Sequence, residues 1–234
     1  MNKIVTPPGI SGRTVHYDSS NVTLETVANE LALLSLGDFE PLDIKINTNQ
    51  LMQELDRYKD QWTDYLPRTD RPNNRKGLSL TTIEGLAYND TPSMPEIIQR
   101  LGRIPKESEI SFKTEVYDRC SSLHTGLAPW EPVGRTFFIK SDIGGYFVPH
   151  RDHPTLPRDT FRLICFVNNC GPLDYDWWMD DKKLQIEPGR FYYVNTKKTH
   201  RTISWVNDSI HLILNVPFTS KNVSSVIAHL QHRH

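Results

Sequence analysis

The apolar residues in the first half of the chain recur at helical spacing. Two stripes show this spacing: Leu24, Val27, Leu31 and Leu34, and then Leu51, Leu55, Tyr58 and Trp62. Residues three and four positions apart share one face of an α-helix, so each stripe predicts an amphipathic helix. Ser93 and Glu96 form a capping-box pattern, which predicts a helix that ends at Gly102. We therefore expect residues 1–128 to form a mostly helical support region.

The pattern changes near residue 129 to short β-like runs separated by turn residues. The predicted strands cover 135–140, 146–150, 161–168, 175–179, 184–186, 191–195, 199–205 and 209–216. Short strands at this spacing predict a sandwich or small barrel, in which closure protects the sheet edges. The expected fold class is α+β with a mainly β core. The barrel should cover residues 129–218, the helical region should pack on it, and 219–234 should form a C-terminal helix or tail.

Composition and charge exclude several classes of function. The chain has 234 residues, 37% of them hydrophobic, and a formal net charge of -1, so no global charge favours nucleic acid or anionic membrane. No apolar run approaches the roughly 20 residues of a membrane span. Three cysteines are too few for a disulfide framework, and Pro7 and Pro8 interrupt the N-terminus before any apolar signal segment. We expect a cytoplasmic protein.

Candidate chemistry begins at His150 and Asp152. Residues two apart on a strand point to the same face, so the imidazole and the carboxylate can meet at one ion. The spacing alone is weak evidence, because 9 histidines and 28 acidic residues give about one such pair by chance. His16 and Asp18 form a second pair of this kind near the N-terminus.

A third candidate ligand, His200, begins another predicted strand 50 residues after His150. Two histidines and one carboxylate on rigid strands leave positions open on an octahedral metal, as non-haem Fe(II) oxygenases require. Each histidine taken singly is more often a surface or core residue. The three together within a series of strands favour a metal site.

These motifs in this order resemble the double-stranded β-helix of the Fe(II)/2-oxoglutarate-dependent dioxygenases. The matching segments are His150-Arg151-Asp152, Phe161-Arg162-Leu163, Pro188-Gly189, His200 and Ser209-Ile210-His211-Leu212. The resemblance covers roughly residues 130–217. Within the superfamily, the chain is most similar to the aspartyl/asparaginyl β-hydroxylase and proline cis-hydroxylase branch.

The resemblance implies a jelly-roll or cupin-like barrel with Fe(II) as cofactor and 2-oxoglutarate as co-substrate. It implies that His150, Asp152 and His200 bind the metal and are the catalytic residues. The implied reaction uses dioxygen to hydroxylate an amino acid, or an Asp, Asn or Pro-type side chain in a peptide, with release of succinate and CO2. A carboxylate at position 152 implies hydroxylation rather than halogenation.

One departure concerns the far carboxylate of 2-oxoglutarate. Members of the family usually bind it with an arginine on the last core strand, where this chain has Ile210 and His211. The candidate co-substrate residues are therefore His211, Arg162 and Lys140. Arginine offers bidentate pairing with a carboxylate, whereas histidine donates a single hydrogen bond.

Several residues keep two interpretations. Arg162 could instead pair with a surface acid such as Asp159, and His211 could face the barrel or the solvent. Arg135 could bind a substrate carboxylate or make a surface ion pair, and Trp177 could wall the pocket or pack in the core. Residues 73–76 are expected to form a solvated loop, or else a lid.

Two other functions compete with an oxygenase. The missing late arginine motivates a cupin-like barrel that binds metal or small ligands without oxidative turnover. The other alternative is an interaction module with a purely structural barrel.

Overall fold

The computed structural model describes residues 23–66, 74–84, 91–130, 132–152 and 159–230. The strands are β1 (Phe39–Lys45), β2 (Thr63–Asp64), β3 (Arg75–Ser79), β4 (Thr81–Thr82), β5 (Phe112–Lys113), β6 (Thr136–Ser141), β7 (Tyr146–His150), β8 (Thr160–Asn168), β9 (Tyr175–Met179), β10 (Lys182–Lys183), β11 (Arg190–Val194), β12 (His200–Ser204) and β13 (Ser209–Pro217). The helices are α1 (Leu24–Leu34), α2 (Thr48–Leu55), α3 (Met94–Leu101), α4 (Glu115–Arg119), α5 (His124–Leu127) and α6 (Ser220–Ala228). Short 3-10 turns connect several of them.

Two antiparallel sheets form the core of the protein. The larger has the strand order β1-β11-β8-β13-β6-β3-β2, and the smaller has the order β10-β9-β12-β7. Strands β4 and β5 form a separate ribbon. Two such sheets with crossed connections make a jelly-roll or cupin-like barrel, which confirms the predicted fold class.

The strands of the second half lie where the pattern of the sequence predicts them, with one exception. The run 184–186 is not a strand. Instead, Lys182 and Lys183 pair with the end of β9, through a turn in which Asp180 has a φ of +46°. Leu184 and Ile186 still pack against the small apolar cluster beneath this sheet. These two residues are hydrophobic because they pack against this cluster, although they form no strand.

The first half of the chain, besides its helices, contributes three strands to the larger sheet. β1 pairs with β11, β3 pairs with β6, and β2 pairs with β3. Pro41 interrupts the apolar pattern of β1, and β3 begins with two basic residues and a glycine, so neither segment has a typical strand pattern. The larger sheet therefore takes strands from both sides of residue 128.

Helix α1 forms where it is predicted, but its predicted apolar face is wrong. Leu24 is 90% exposed and Leu31 is 61% exposed, whereas Asn29 and Leu33 are the buried residues. The helix packs against α6, which selects a different face. The capping box at Ser93 and Glu96 is confirmed.

The two central strands of the larger sheet are buried on both faces. On β13, Leu212, Leu214 and Val216 pack into the main hydrophobic core with residues of the helices. The alternate residues His211 and Ile213 line a cavity on the opposite face. Successive strand residues point to opposite faces, so one face stabilises the fold and the other forms the site. Among the described residues, no helix has the length and apolar character needed to span a bilayer.

Candidate active site

The structure brings His150, Asp152 and His200 together at one end of the barrel. His150 ends β7, His200 begins β12, and the two are partners in the antiparallel pairing of these strands. One ligand atom from each of the three residues lies within 4.8 Å of the others. Oδ1 of Asp152 lies 3.5 Å from Nε2 of His150 and 3.9 Å from Nε2 of His200. These three atoms therefore face a common point, where they can hold a metal ion.

Both imidazoles are fixed by backbone carbonyl groups. Nδ1 of His150 lies 2.7 Å from the carbonyl oxygen of Val148, and Nδ1 of His200 lies 3.0 Å from that of Lys198. A carbonyl oxygen only accepts hydrogen bonds, so each Nδ1 carries the proton and donates it. Each Nε2 then presents its lone pair toward Asp152. Ligand histidines in metal sites are commonly oriented in this way.

Arg162 keeps Asp152 ionised. Nη1 of Arg162 donates to Oδ2 of Asp152, on the side of the carboxylate away from the two histidines. Burial acts to raise the pKa of Asp152, but the adjacent Arg162 charge outweighs it and holds this pKa well below its usual range. Asp152 is therefore an anionic candidate ligand at neutral pH.

Asn215 on β13 holds Arg162 in place. Its Oδ1 accepts hydrogen bonds from Nε and Nη2 of Arg162, at 3.1 and 2.9 Å. Arg162 does not pair with Asp159, which instead accepts hydrogen bonds from the backbone N–H groups of Glu107 and Ser108. The surface ion pair considered for Arg162 is thus absent, and its guanidinium group belongs to the metal end of the cavity.

The candidate ligands lie at one end of a cavity of about 510 Å³ between the two sheets. Three arginines of the described part of the chain line it, Arg75, Arg135 and Arg162. The remaining lining residues are largely aromatic and aliphatic, and include Phe137, Ile139, Phe147, Ile164, Trp177 and Ile213. A cavity of this size, mostly apolar with a few convergent polar groups, is typical of a small-molecule site.

Four buried polar atoms lie on the strands that enclose the cavity. They are Nε1 of Trp177, Oη of Tyr175, Oγ1 of Thr202 and Nδ1 of His211. The hydroxyls of Tyr175 and Thr202 contact each other, whereas Nε1 of Trp177 and Nδ1 of His211 have no hydrogen-bond partner among the described residues. Burial lowers the pKa of His211 to about 3 and raises that of Tyr175. All four groups are therefore neutral at pH 7. Buried polar groups normally have partners, so this cluster fits a polar ligand group.

Arg75 is a site residue that sequence reasoning missed. Residues 73–76 were expected to form a solvated loop or a lid. Asn73 lies outside the described residues, but Arg75 begins β3, is buried and lines the cavity. Its guanidinium carbon lies 4.2 Å from the Phe147 ring centroid, and its Nη2 donates to the carbonyl oxygen of Leu66 at 3.0 Å. Residues 75, 77 and 79 share one face of β3, and this alternation was the only signal of this strand in the sequence. It is hard to recognise because Arg75 and Gly77 are not hydrophobic.

The structure does not bring Lys140 to the cavity. Its neighbour Ile139 lines the cavity, and the alternation of β6 turns Lys140 to the other face. There its Nζ lies 3.4 Å from Oδ1 of Asp208 and 5.0 Å from the Trp62 ring centroid.

Arg135 and Trp177 both line the cavity. Arg135 is only 5% exposed, so the surface ion pair considered for it is excluded. Trp177 stacks on His200 with ring centroids 5.9 Å apart, whereas its neighbour Trp178 lies outside the cavity, beneath Arg201. Trp177 therefore both packs in the core and walls the site.

Comparisons with known proteins give matches in structure only. No model of a protein family matches the sequence, and no curated protein matches it. A Trichoplax adhaerens prolyl hydroxylase in complex with a hypoxia-inducible-factor peptide fragment matches with 14% identity and a TM-score of 0.43, covering 89% of this chain and 97% of its own. The chain is similar in structure to 2-oxoglutarate/Fe(II) oxygenases.

Two further structures extend the comparison. The 2-oxoglutarate complex of a collagen prolyl hydroxylase from Paramecium bursaria Chlorella virus-1 matches with 10% identity and a TM-score of 0.40, covering 77% of this chain and 96% of its own. A cupin 2 domain protein from Halorhodospira halophila matches with 12% identity and a TM-score of 0.27, covering 43% of this chain and 72% of its own.

The residues of the cavity fit Fe(II) and 2-oxoglutarate. Two imidazole nitrogens and one carboxylate oxygen are the donor set that non-haem Fe(II) sites use. Nδ1 of His211, which has no partner among the described residues, and the buried Arg75 guanidinium belong to residues that line the cavity and suit a carboxylate group.

Proposed function

We propose that this protein is an Fe(II)/2-oxoglutarate-dependent oxygenase. It hydroxylates an amino acid, or an Asp, Asn or Pro-type side chain in a peptide, and releases succinate and CO2. The observation that carries this proposal is the convergence of two imidazole Nε2 atoms and one Asp152 oxygen at the end of a cavity built for a small molecule.

His150, Asp152 and His200 would hold the iron and leave three positions of an octahedral ion for the co-substrate and dioxygen. Bound iron supplies the activation of dioxygen: one oxygen atom enters a substrate C–H bond and the other enters succinate, as 2-oxoglutarate loses CO2. The residues of the chain fix the ligand geometry. Arg162 keeps Asp152 ionised, and the carbonyl groups of Val148 and Lys198 hold both imidazoles in the orientation and tautomer that turn Nε2 toward the metal.

Arg75 is the residue that we assign to the far carboxylate of 2-oxoglutarate. It supplies a fixed positive charge from β3, which compensates for the absence of an arginine on β13. His211, which is neutral and lines the cavity, would add a hydrogen bond there. Arg162 lies beside Asp152, so its predicted contact with the co-substrate would be at the metal end. Lys140 has no place in this assignment, because its amine lies on the other face of β6.

The test is an anaerobic visible spectrum of the Fe(II)-loaded protein before and after addition of 2-oxoglutarate. We expect a weak charge-transfer band from chelation by the keto acid, and its loss in His150→Ala. Arg75→Gln should keep the iron and weaken 2-oxoglutarate binding about 10- to 100-fold, the range for one charge-assisted contact. Arg201→Gln removes an arginine that lies outside the cavity and should change neither property.

Stoichiometric iron without a band, or a band without any formation of succinate, would contradict an oxygenase. The first result would favour the cupin-like alternative, a barrel that binds metal or a small ligand without turnover.

A further inference from the structure

Arg135 is a buried arginine with unused hydrogen-bonding capacity. It directly precedes β6, and its Nη2 donates to the carbonyl oxygen of Pro92 at 2.8 Å and lies 3.4 Å from the Tyr65 hydroxyl. Its nearest carboxylate oxygen, on Glu107, is 4.0 Å from Nη1, beyond hydrogen-bond distance. Among the described residues, Nε and Nη1 of Arg135 have no hydrogen-bond partner. Pro92 and Tyr65 thus hold one edge of the guanidinium group, and the other edge lines the cavity.

Arg135 lies toward the end of the cavity that contains the candidate metal ligands. Nδ2 of Asn215 donates to the backbone carbonyl of Arg135 at 2.7 Å, and Oδ1 of the same side chain accepts from Arg162. Arg162 in turn contacts Asp152. Two residues, Asn215 and Arg162, therefore connect Arg135 to the candidate metal ligand Asp152. Arg75 pairs with Ser141 at the end of β6, whereas Arg135 directly precedes that strand, so the two arginines lie at opposite ends of β6.

Glu107 lies between two of the cavity arginines. Its Oε1 is 4.0 Å from Nη1 of Arg135 and 3.8 Å from Nη2 of Arg162, beyond hydrogen-bond distance in both cases. Arg162 is engaged by Asp152 and Asn215, whereas Nε and Nη1 of Arg135 can still donate to a further acceptor. A guanidinium group pairs best with a carboxylate, so Arg135 favours an anionic substrate.

The walls near Arg135 determine what else the substrate must be. Phe137 lies beneath the guanidinium, at 4.2 Å from its ring centroid, and Met94 lines the same cavity. These side chains suit an aliphatic skeleton. A volume of about 510 Å³ accommodates 2-oxoglutarate together with one molecule of similar size.

We propose that Arg135 binds the carboxylate of a small organic acid, such as a free amino acid, and so selects the substrate. This inference rests on the proposed function and narrows its substrate class. The acid presents an aliphatic C–H bond to the metal end, and hydroxylation of that bond takes one atom of dioxygen while 2-oxoglutarate is oxidised to succinate and CO2.

The experiment compares acids with their uncharged amides, by calorimetric titration of the anaerobic Fe(II)–2-oxoglutarate protein and of the metal-free protein. The probes are L-proline against L-prolinamide and hexanoate against hexanamide, followed by the common amino acids against their amides. We expect at least one acid to bind 10-fold or more tightly than its amide. Arg135→Gln should remove this difference while iron and the 2-oxoglutarate band persist. Arg135→Lys should keep part of it, and Arg201→Gln all of it.

Equal binding of every acid and its amide, absence of binding by every acid, or an acid preference that survives in Arg135→Gln would overturn the inference. Should Arg135→Gln not fold, Arg135→Lys decides, because it keeps the charge but loses the fork of the guanidinium. A missing 2-oxoglutarate band overturns the proposed function alone. The acid preference of the metal-free protein is measured independently of that band, so the two failures are distinguishable.

Discussion

Asp152 divides its two carboxylate oxygens between different partners. Oδ1 faces the two histidines, and Oδ2 pairs with Arg162, which Asn215 holds from the other side. This arrangement presents a single oxygen to a metal ion. It also prevents the carboxylate from rotating into a bidentate position that would occupy a further coordination site.

Replacement of Arg162 by Gln should therefore weaken metal binding about 10- to 100-fold, the usual effect of losing the partner of a metal ligand. The measurement is competition between the protein and a chelating indicator for Fe(II) or Zn(II). Arg201→Gln serves as the matched control. Unchanged metal affinity with weaker 2-oxoglutarate binding would show that Arg162 acts on the co-substrate alone.

At the scale of single residues, the sequence predicts only those site residues whose roles follow from local spacing. His150 and Asp152 are two positions apart, and His200 begins a strand that its own apolar pattern indicates. The contribution of Arg75 depends on the pairing of β3 with β6, which no local pattern encodes. A shift of one residue in that register would turn Arg75 out of the barrel.

Among the elements, α2 is attached to the rest of the helical layer through Glu54. The carboxylate accepts hydrogen bonds from the hydroxyl of Ser121 at 2.9 Å and from that of Ser122 at 2.5 Å. The backbone N–H of Ser122 adds further contacts at 3.3 Å. These bonds connect α2 to the 3-10 turn at Ser121–Leu123, which packs beside it.

Glu54→Gln should destabilise the protein by about 1–3 kcal/mol at pH 7, because buried hydrogen bonds to a charged acceptor are lost. Burial acts to raise the pKa of Glu54, but the hydrogen bonds from Ser122 and Ser121 outweigh it and lower this pKa. A lowered folded-state pKa means that the stabilisation is complete above the unfolded value near 4.5 and is lost as pH falls below it.

Urea unfolding at pH 7 and below pH 4 measures this effect. The difference between the wild type and Glu54→Gln should shrink in acid, whereas the exposed Glu84→Gln should follow the wild type at both values. An equal difference at both pH values would show that the carboxylate charge contributes nothing.

Element type was easier to predict than the face an element buries. The leucine stripe of α1 correctly indicates a helix, yet Leu24 and Leu31 face outward because contact with α6 selects the side of Asn29 and Leu33. Strands of the second half were visible because turn residues separate them. β1 and β3 were missed because proline, glycine and charged residues hide their alternation.

At the scale of the whole molecule, the cavity is assembled from distant parts of the chain. Arg75 comes from β3, Arg162 from β8, and the candidate metal ligands from β7, β12 and the residues just beyond β7. A ligand that binds this cavity binds the folded state alone, so binding and folding are linked.

Metal should therefore stabilise the whole fold. At a free metal concentration 100 times its Kd, the free energy of unfolding should rise by about 2.7 kcal/mol. For a chain of this size the melting temperature then rises by about 5–10 °C. Thermal unfolding with Zn(II), and again after addition of a chelator, measures the change. His200→Ala should abolish the shift, and an equal shift in that variant would place the metal elsewhere.

The hydrogen bonds that fix the two imidazoles have a practical consequence. Because the ligands need no rearrangement, the site offers little geometric discrimination among divalent ions, and affinity follows the general order in which copper, nickel and zinc bind more tightly than iron. Protein isolated from growing cells will carry whichever of these ions the culture supplied. Oxygenase assays must begin by stripping that ion and restoring iron under argon.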